Sequence, residues 1–64
     1  MTILIIDDEE QMRRLLTITL EASGYRVSEA DTGKGGIVQA AMVRPDLILL
    51  DMGLPDMEGV EVLR

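Results

Sequence analysis

The chain has 64 residues, a formal net charge of −6 from 6 basic and 12 acidic residues, and no Cys, His, Trp or Phe. That composition excludes a disulfide framework and any thiolate or imidazole metal site, suits a reducing cytoplasm, and argues against nucleic-acid binding by this segment itself. No stretch reaches the length of a membrane span and no basic-then-apolar leader opens the chain, so one small, marginally stable cytoplasmic piece is expected.

Met1-Thr2 leads directly into Ile3-Leu4-Ile5-Ile6, which reads as a native start followed by a buried strand over about Thr2 to Ile6. Asp7 and Asp8 end that run. The spacing then predicts a helix from about Glu10 to Ser23, with Glu9 and Glu10 near its positive N-terminus and Gly24 as its stop. Met12, Leu15, Leu16, Thr19 and Leu20 form its expected inward stripe. Tyr25 to Ala30 reads as a second strand, whose Arg26 and Glu29 suit a sheet edge.

Asp31 or Thr32 is placed to cap a second helix running to about Val43, with Ile37, Ala40 and Ala41 inward. Pro45 is expected to hold Arg44 extended. Gly33, Gly35 and Gly36 each cost up to about 1 kcal/mol relative to Ala in a helix, which predicts a frayed start. Gly33-Lys34-Gly35-Gly36 matches neither phosphate-loop fingerprint and follows an edge strand. A third strand over Asp46 to Leu50 delivers Asp51, a loop spans Met52 to Asp56, and a helix begins at Glu58 and runs to Arg64, with Val60 and Leu63 inward.

The order β-α-β-α-β-α with right-handed crossovers gives a parallel sheet of strand order 2-1-3 with its first two helices on opposite faces. Parallel strands share one C-terminal edge, and the first and third strands flank the topological switch point where such sheets place ligands. Asp7, Asp8 and Asp51 should therefore converge there. Carboxylates held close together repel, and such a cluster persists when a cation or a proton joins it. Oxygen-only ligation suits Mg²⁺ or Mn²⁺. Taken singly, Asp7 and Asp8 could merely favour a helix N-terminus and Asp51 a turn. The joint arrangement favours a site. The third strand, uniformly apolar, has the composition of a strand paired on both sides although the order makes it an edge. The chain therefore reads as a fragment.

These residues resemble the receiver domain of two-component response regulators. The likeness is carried by Leu4-Ile5-Ile6-Asp7-Asp8-Glu9, by Pro45-Asp46-Leu47-Ile48-Leu49-Leu50-Asp51, and by Gly53-Leu54-Pro55-Asp56-Met57-Glu58-Gly59. It covers essentially all of residues 1–64, as the N-terminal half of a receiver. The Asp51-to-Asp56 segment is similar to receivers of winged-helix transcription regulators, the potassium-uptake regulators among them. The resemblance implies a flavodoxin-like (CheY-like) doubly wound α/β fold, truncated to β-α-β-α-β-α. It implies that Asp51 accepts a phosphoryl group from a phosphohistidine of a sensor histidine kinase, controlling an output domain that binds DNA elsewhere in the protein. It further implies a Mg²⁺ (or Mn²⁺) site in which Asp8 ligates directly, Asp7 acts through water, and Asp51 and the Gly53 carbonyl complete the protein set.

A receiver's later Ser or Thr, Lys and switch aromatic have no counterpart in residues 1–64, and Lys34 lies on the wrong element to replace the Lys. Little phosphorylation of the isolated piece is expected. Two other classes compete. Half of an Asp-nucleophile Mg²⁺ phosphohydrolase would carry a second Asp two residues after the nucleophile, where this chain has Gly53. A pure interaction module would pair copies through the Leu47–Leu50 edge, and a homodimer of the fragment is expected on that ground. Flavin binding lacks a phosphate-holding loop after the first strand. A signalling, non-enzymatic receiver is the expectation.

Overall fold

A computed structural model describes residues 1–51 of the chain. The loop expected over 52–56, the helix expected from Glu58 and the Gly53 carbonyl lie outside the described residues. Five elements follow in order: β1 (Thr2–Ile6), α1 (Glu10–Ala22), β2 (Arg26–Ala30), α2 (Gly33–Val43) and β3 (Leu47–Leu50). The strands form one parallel sheet in the order β2-β1-β3. Ile6 stands in register with Ala30 on one side and Leu50 on the other. The expected topology is the observed one.

β1 is central because its side chains can be buried on both faces. Ile3, Leu4, Ile5 and Ile6 are all buried, each worth roughly 1.5–3 kcal/mol of transfer free energy before entropy is counted. Two adjacent residues of β2 show which helix covers which face. The Ser28 hydroxyl bonds Gln39 Oε1 of α2 at 2.8 Å, whereas Glu29 pairs with Arg13 of α1. Neighbouring strand residues point to opposite faces, so α1 and α2 lie on opposite sides of the sheet. On the α2 side Leu4, Ile6 and Ala30 form the core, with Ala40, Ile48 and Leu50 packed against it.

Both helix faces differ from expectation. On α1 the half-buried line is Arg13, Leu16, Thr17 and Leu20. Met12 is 43% and Leu15 59% exposed, and Thr19 is exposed too. Leu16 and Leu20 belong to the expected stripe, but the helix is turned by nearly a quarter from it, toward β2. In this orientation the Arg13 guanidinium reaches Glu29 and the Asp7 carbonyl at the end of β1. On α2 the inward line is Gly33, Gly36 and Ala40, while Ile37 is 46% exposed and Ala41 is exposed. A Cβ at Gly36 would sit 2.8 Å from Ile6 Cγ1 and closer still to its Cδ1. The helix axis approaches β1 too closely for any side chain there. The glycines therefore serve packing at the sheet, and the helix begins at Gly33 with the Thr32 hydroxyl accepting from Gly35 N–H at 2.9 Å.

The helix ends also have local causes. Gly24 (φ +92°) closes α1, with Gly24 N–H donating to Glu21 O and Tyr25 N–H to Leu20 O, the paired bonds of a Schellman motif. Arg44 is left-handed (φ 48°, ψ 65°) rather than extended. Pro45 disfavours the right-handed helical region for Arg44 and so helps end the helix there. Arg44 N–H, placed by the helical residues before it, bonds Ala40 O at 3.0 Å and satisfies a helix-end carbonyl. β3 begins one residue later than expected, although Asp46 already bonds β1 through its N–H to Thr2 O and its Oδ2 from Thr2 N–H, both 2.8 Å.

Candidate functional site

Each apolar strand stops at an aspartate, and the register does the rest. Because Ile6 lies beside Leu50, the next residue of each strand, Asp7 and Asp51, emerges at the same edge. Asp51 N–H donates to Ile6 O at 2.9 Å and Asp7 N–H to Ala30 O at 3.1 Å, so the ladder pins both backbones. Asp7 Oδ1 accepts from Glu9 N–H at 2.9 Å, which fixes that carboxylate and turns the chain into α1.

Asp7, Asp8 and Asp51 each offer one carboxylate oxygen, and these oxygens all lie within 4.8 Å of one another. Asp7 and Asp51 are half-buried and Asp8 is exposed. In an octahedral Mg²⁺ shell at about 2.1 Å, adjacent oxygens lie about 3 Å and opposite ones about 4.2 Å apart, so side-chain adjustment on the order of an ångström would bring these oxygens around one ion, directly or through its water. Three anionic oxygens without nitrogen or sulfur fit a hard divalent cation, which supplies charge neutralisation at the sheet edge when bound. The three aspartates expected to meet do meet, while Gly53 lies outside the described residues.

A cleft of about 180 Å³ opens beside the acids, between Leu16 of α1 and Ile5, Leu49 and Leu50 of the sheet. It is smaller than the roughly 300–1,000 Å³ that organic ligands occupy. A larger cleft of about 430 Å³ lies on the other flank of α1, around Arg14, Ile18 and Glu21, and holds none of the three aspartates.

Sequence reasoning passed over Arg13. Its Nη1 donates to the Asp7 carbonyl at 2.8 Å and its Nε to Glu29 Oε1 at 3.1 Å. The available signal was its spacing with Leu16, Thr17 and Leu20, which places an arginine on the buried line of a helix that starts at an acidic pair.

Comparison with known proteins agrees with this geometry. The family profile of the response regulator receiver domain matches residues 3–64. The KDP operon transcriptional regulatory protein KdpE of Escherichia coli is 50% identical over 62 residues, covering 97% of this chain and 28% of that protein. KdpE of Mycobacterium tuberculosis is 51% identical over 61 residues, or 95% of this chain and 27% of its own length. Among solved structures, the chemotaxis response regulator CheY4 of Vibrio cholerae superposes with a TM-score of 0.93 at 32% identity, over 97% of this chain and 52% of that one. The response regulator TrrA of Thermotoga maritima, solved with Mg²⁺ and BeF, gives 0.88 at 34% identity, over 95% and 53%. The chain thus spans little more than a quarter of its curated relatives and about half of the solved receivers.

Proposed function

This chain belongs to the response regulator receiver domain family, and from that premise we propose that residues 1–64 form the N-terminal half of a receiver whose Asp51 accepts a phosphoryl group. The carrying observation is the meeting of three carboxylate oxygens at the C-terminal edge of the sheet. In the proposed step a carboxylate oxygen of Asp51 attacks phosphorus, the bond from phosphorus to the donor imidazole nitrogen breaks, and its electron pair leaves with the imidazole. The donor is a phosphohistidine of a sensor histidine kinase, and the transfer takes place in the cytoplasm.

Asp7, Asp8, Asp51 and the Gly53 carbonyl are the proposed ligands of Mg²⁺ or Mn²⁺, Asp7 acting through water. Bound there, the ion offsets charge on the nucleophile and the incoming phosphoryl group. TrrA, the relative solved with Mg²⁺ and BeF, supports this choice of ions. The likeness to KdpE supports a DNA-binding output domain elsewhere in the protein, which phosphorylation would control. Position 53 carries Gly, not the second Asp of an Asp-nucleophile phosphohydrolase, which supports a signalling role over an enzymatic one.

The test is phosphorylation of the full-length protein by a phosphorylated kinase, with borohydride reduction and mass spectrometry to locate the acyl phosphate. Label should appear at Asp51, require Mg²⁺ or Mn²⁺, and vanish with a chelator. Label at another residue, or label indifferent to chelation, would overturn the reading.

A second reading concerns the 64-residue polypeptide itself. Among the described residues β3 pairs only with β1, and Leu47 is 43% exposed. An apolar, unpaired edge is a template for a second copy related by a two-fold axis. Sedimentation of the polypeptide should give a dimer, and charges introduced at Leu47 and Leu49 should dissociate it. A folded monomer of the unmodified polypeptide would refute pairing.

A further inference from the structure

Asp7 is held at three points. Its N–H meets Ala30 O, its Oδ1 takes Glu9 N–H, and its carbonyl takes Arg13 Nη1 at 2.8 Å. The last bond matters most for its neighbour. The carbonyl of Asp7 lies in the peptide plane that joins Asp7 to Asp8, and that plane is rigid. Whatever aims this carbonyl therefore also sets where the Asp8 backbone, and with it the exposed Asp8 carboxylate, begins. Arg13 is itself held, since its Nε donates to Glu29 Oε1 on β2 at 3.1 Å and its side chain is only 16% exposed. A guanidinium can serve two acceptors from one planar fork, which the ammonium of lysine cannot do.

We infer that Arg13, oriented by Glu29, is a positioning residue for the cation site: it fixes the Asp7–Asp8 peptide plane so that both carboxylates face Asp51. This rests on reading Asp7, Asp8 and Asp51 as a cation site. The sign of the effect separates positioning from other roles. Arg13 is a cation near an acidic cluster, so a purely Coulombic role makes its removal tighten metal binding. A role in packing alone lowers thermal stability and leaves affinity unchanged. Positioning makes its removal weaken binding.

The experiment titrates the full-length protein with Mn²⁺ alone, followed by electron paramagnetic resonance, and records amide exchange of the metal-free protein by NMR. Asp8→Asn is the control for the site and should remove most binding. Arg13→Met should weaken Mn²⁺ binding about tenfold and speed exchange at the Asp8 and Glu9 amides. Arg13→Lys should resemble Arg13→Met, because restoring the charge does not restore the fork. Glu29→Gln, which leaves Arg13 in place, should weaken binding less, and Arg13→Lys, which keeps the charge, carries the test if Arg13→Met fails to fold. Unchanged or tighter Mn²⁺ binding by the Arg13 and Glu29 variants, with Asp8→Asn still defective, would overturn the inference and leave the cation site standing. Wild-type protein without Mn²⁺ affinity would overturn both.

Discussion

Asp51→Asn is expected to abolish phosphoryl labelling of the full-length protein, by roughly a hundredfold or more. The substitution keeps the shape of the side chain and the Asp51 N–H bond to Ile6 O, so the strand end should stay in place. It removes the negative charge that makes the carboxylate a nucleophile, and it leaves at most a neutral amide oxygen in place of one of the three carboxylate oxygens that converge at the sheet edge. Both losses act on the same step. Asp46→Asn tests specificity, because Asp46 lies at the opposite end of β3, where its carboxylate accepts from Thr2 N–H and asparagine can still accept. Asp56→Asn is a second control. Both should label as wild type does. Undiminished labelling of the Asp51 variant would remove Asp51 as phosphoacceptor whatever the metal does.

Gly36→Leu is expected to unfold the chain at ambient temperature. Even the Cβ of alanine would meet Ile6 Cγ1 at 2.8 Å and Cγ2 at 3.3 Å. Ile6 cannot yield, because it is buried in the central strand between Ala30 and Leu50. Overpacking of this kind costs about 1–3 kcal/mol for a small addition, against about 1 kcal/mol gained by replacing a helical glycine with alanine. Leucine adds far more volume, while a chain this short has about 5 kcal/mol of stability or less. Circular dichroism should show Gly36→Ala melting at lower temperature and Gly36→Leu without a cooperative transition. Ile6→Ala combined with Gly36→Ala should cost less than the two substitutions summed, with a coupling of about 1 kcal/mol or more. Val38→Leu, on the exposed side of the same helix, should change stability by no more than about 0.5 kcal/mol. A Gly36→Leu variant that melts like wild type would mean that α2 does not approach β1 as described.

The acidic edge was legible because it depends on few choices. Two apolar runs of four residues end in aspartate, and a parallel sheet has a single C-terminal edge. Once Ile3–Ile6 and Leu47–Leu50 are strands of the same sheet, Asp7 and Asp51 must emerge together, and the observed register puts them there. The helix stops were legible for a similar reason. Gly24 tolerates the positive φ that ends α1, and Thr32 carries the hydroxyl that starts α2.

Element types, their order, the strand order and the three acids thus follow from residue pattern alone, since period, punctuation and chain connectivity are properties of the sequence. The rotation of each helix does not. α2 is apolar over most of its circumference, so periodicity cannot choose its face, and only the close approach to Ile6 selects the line of Gly33, Gly36 and Ala40. α1 has a clear apolar stripe, yet Arg13 and Thr17 stand on its half-buried line, where Arg13 bonds Glu29 and the Asp7 carbonyl. In each case the deciding contact joins atoms whose separation depends on how the elements dock, and that distance exists only once the chain has folded.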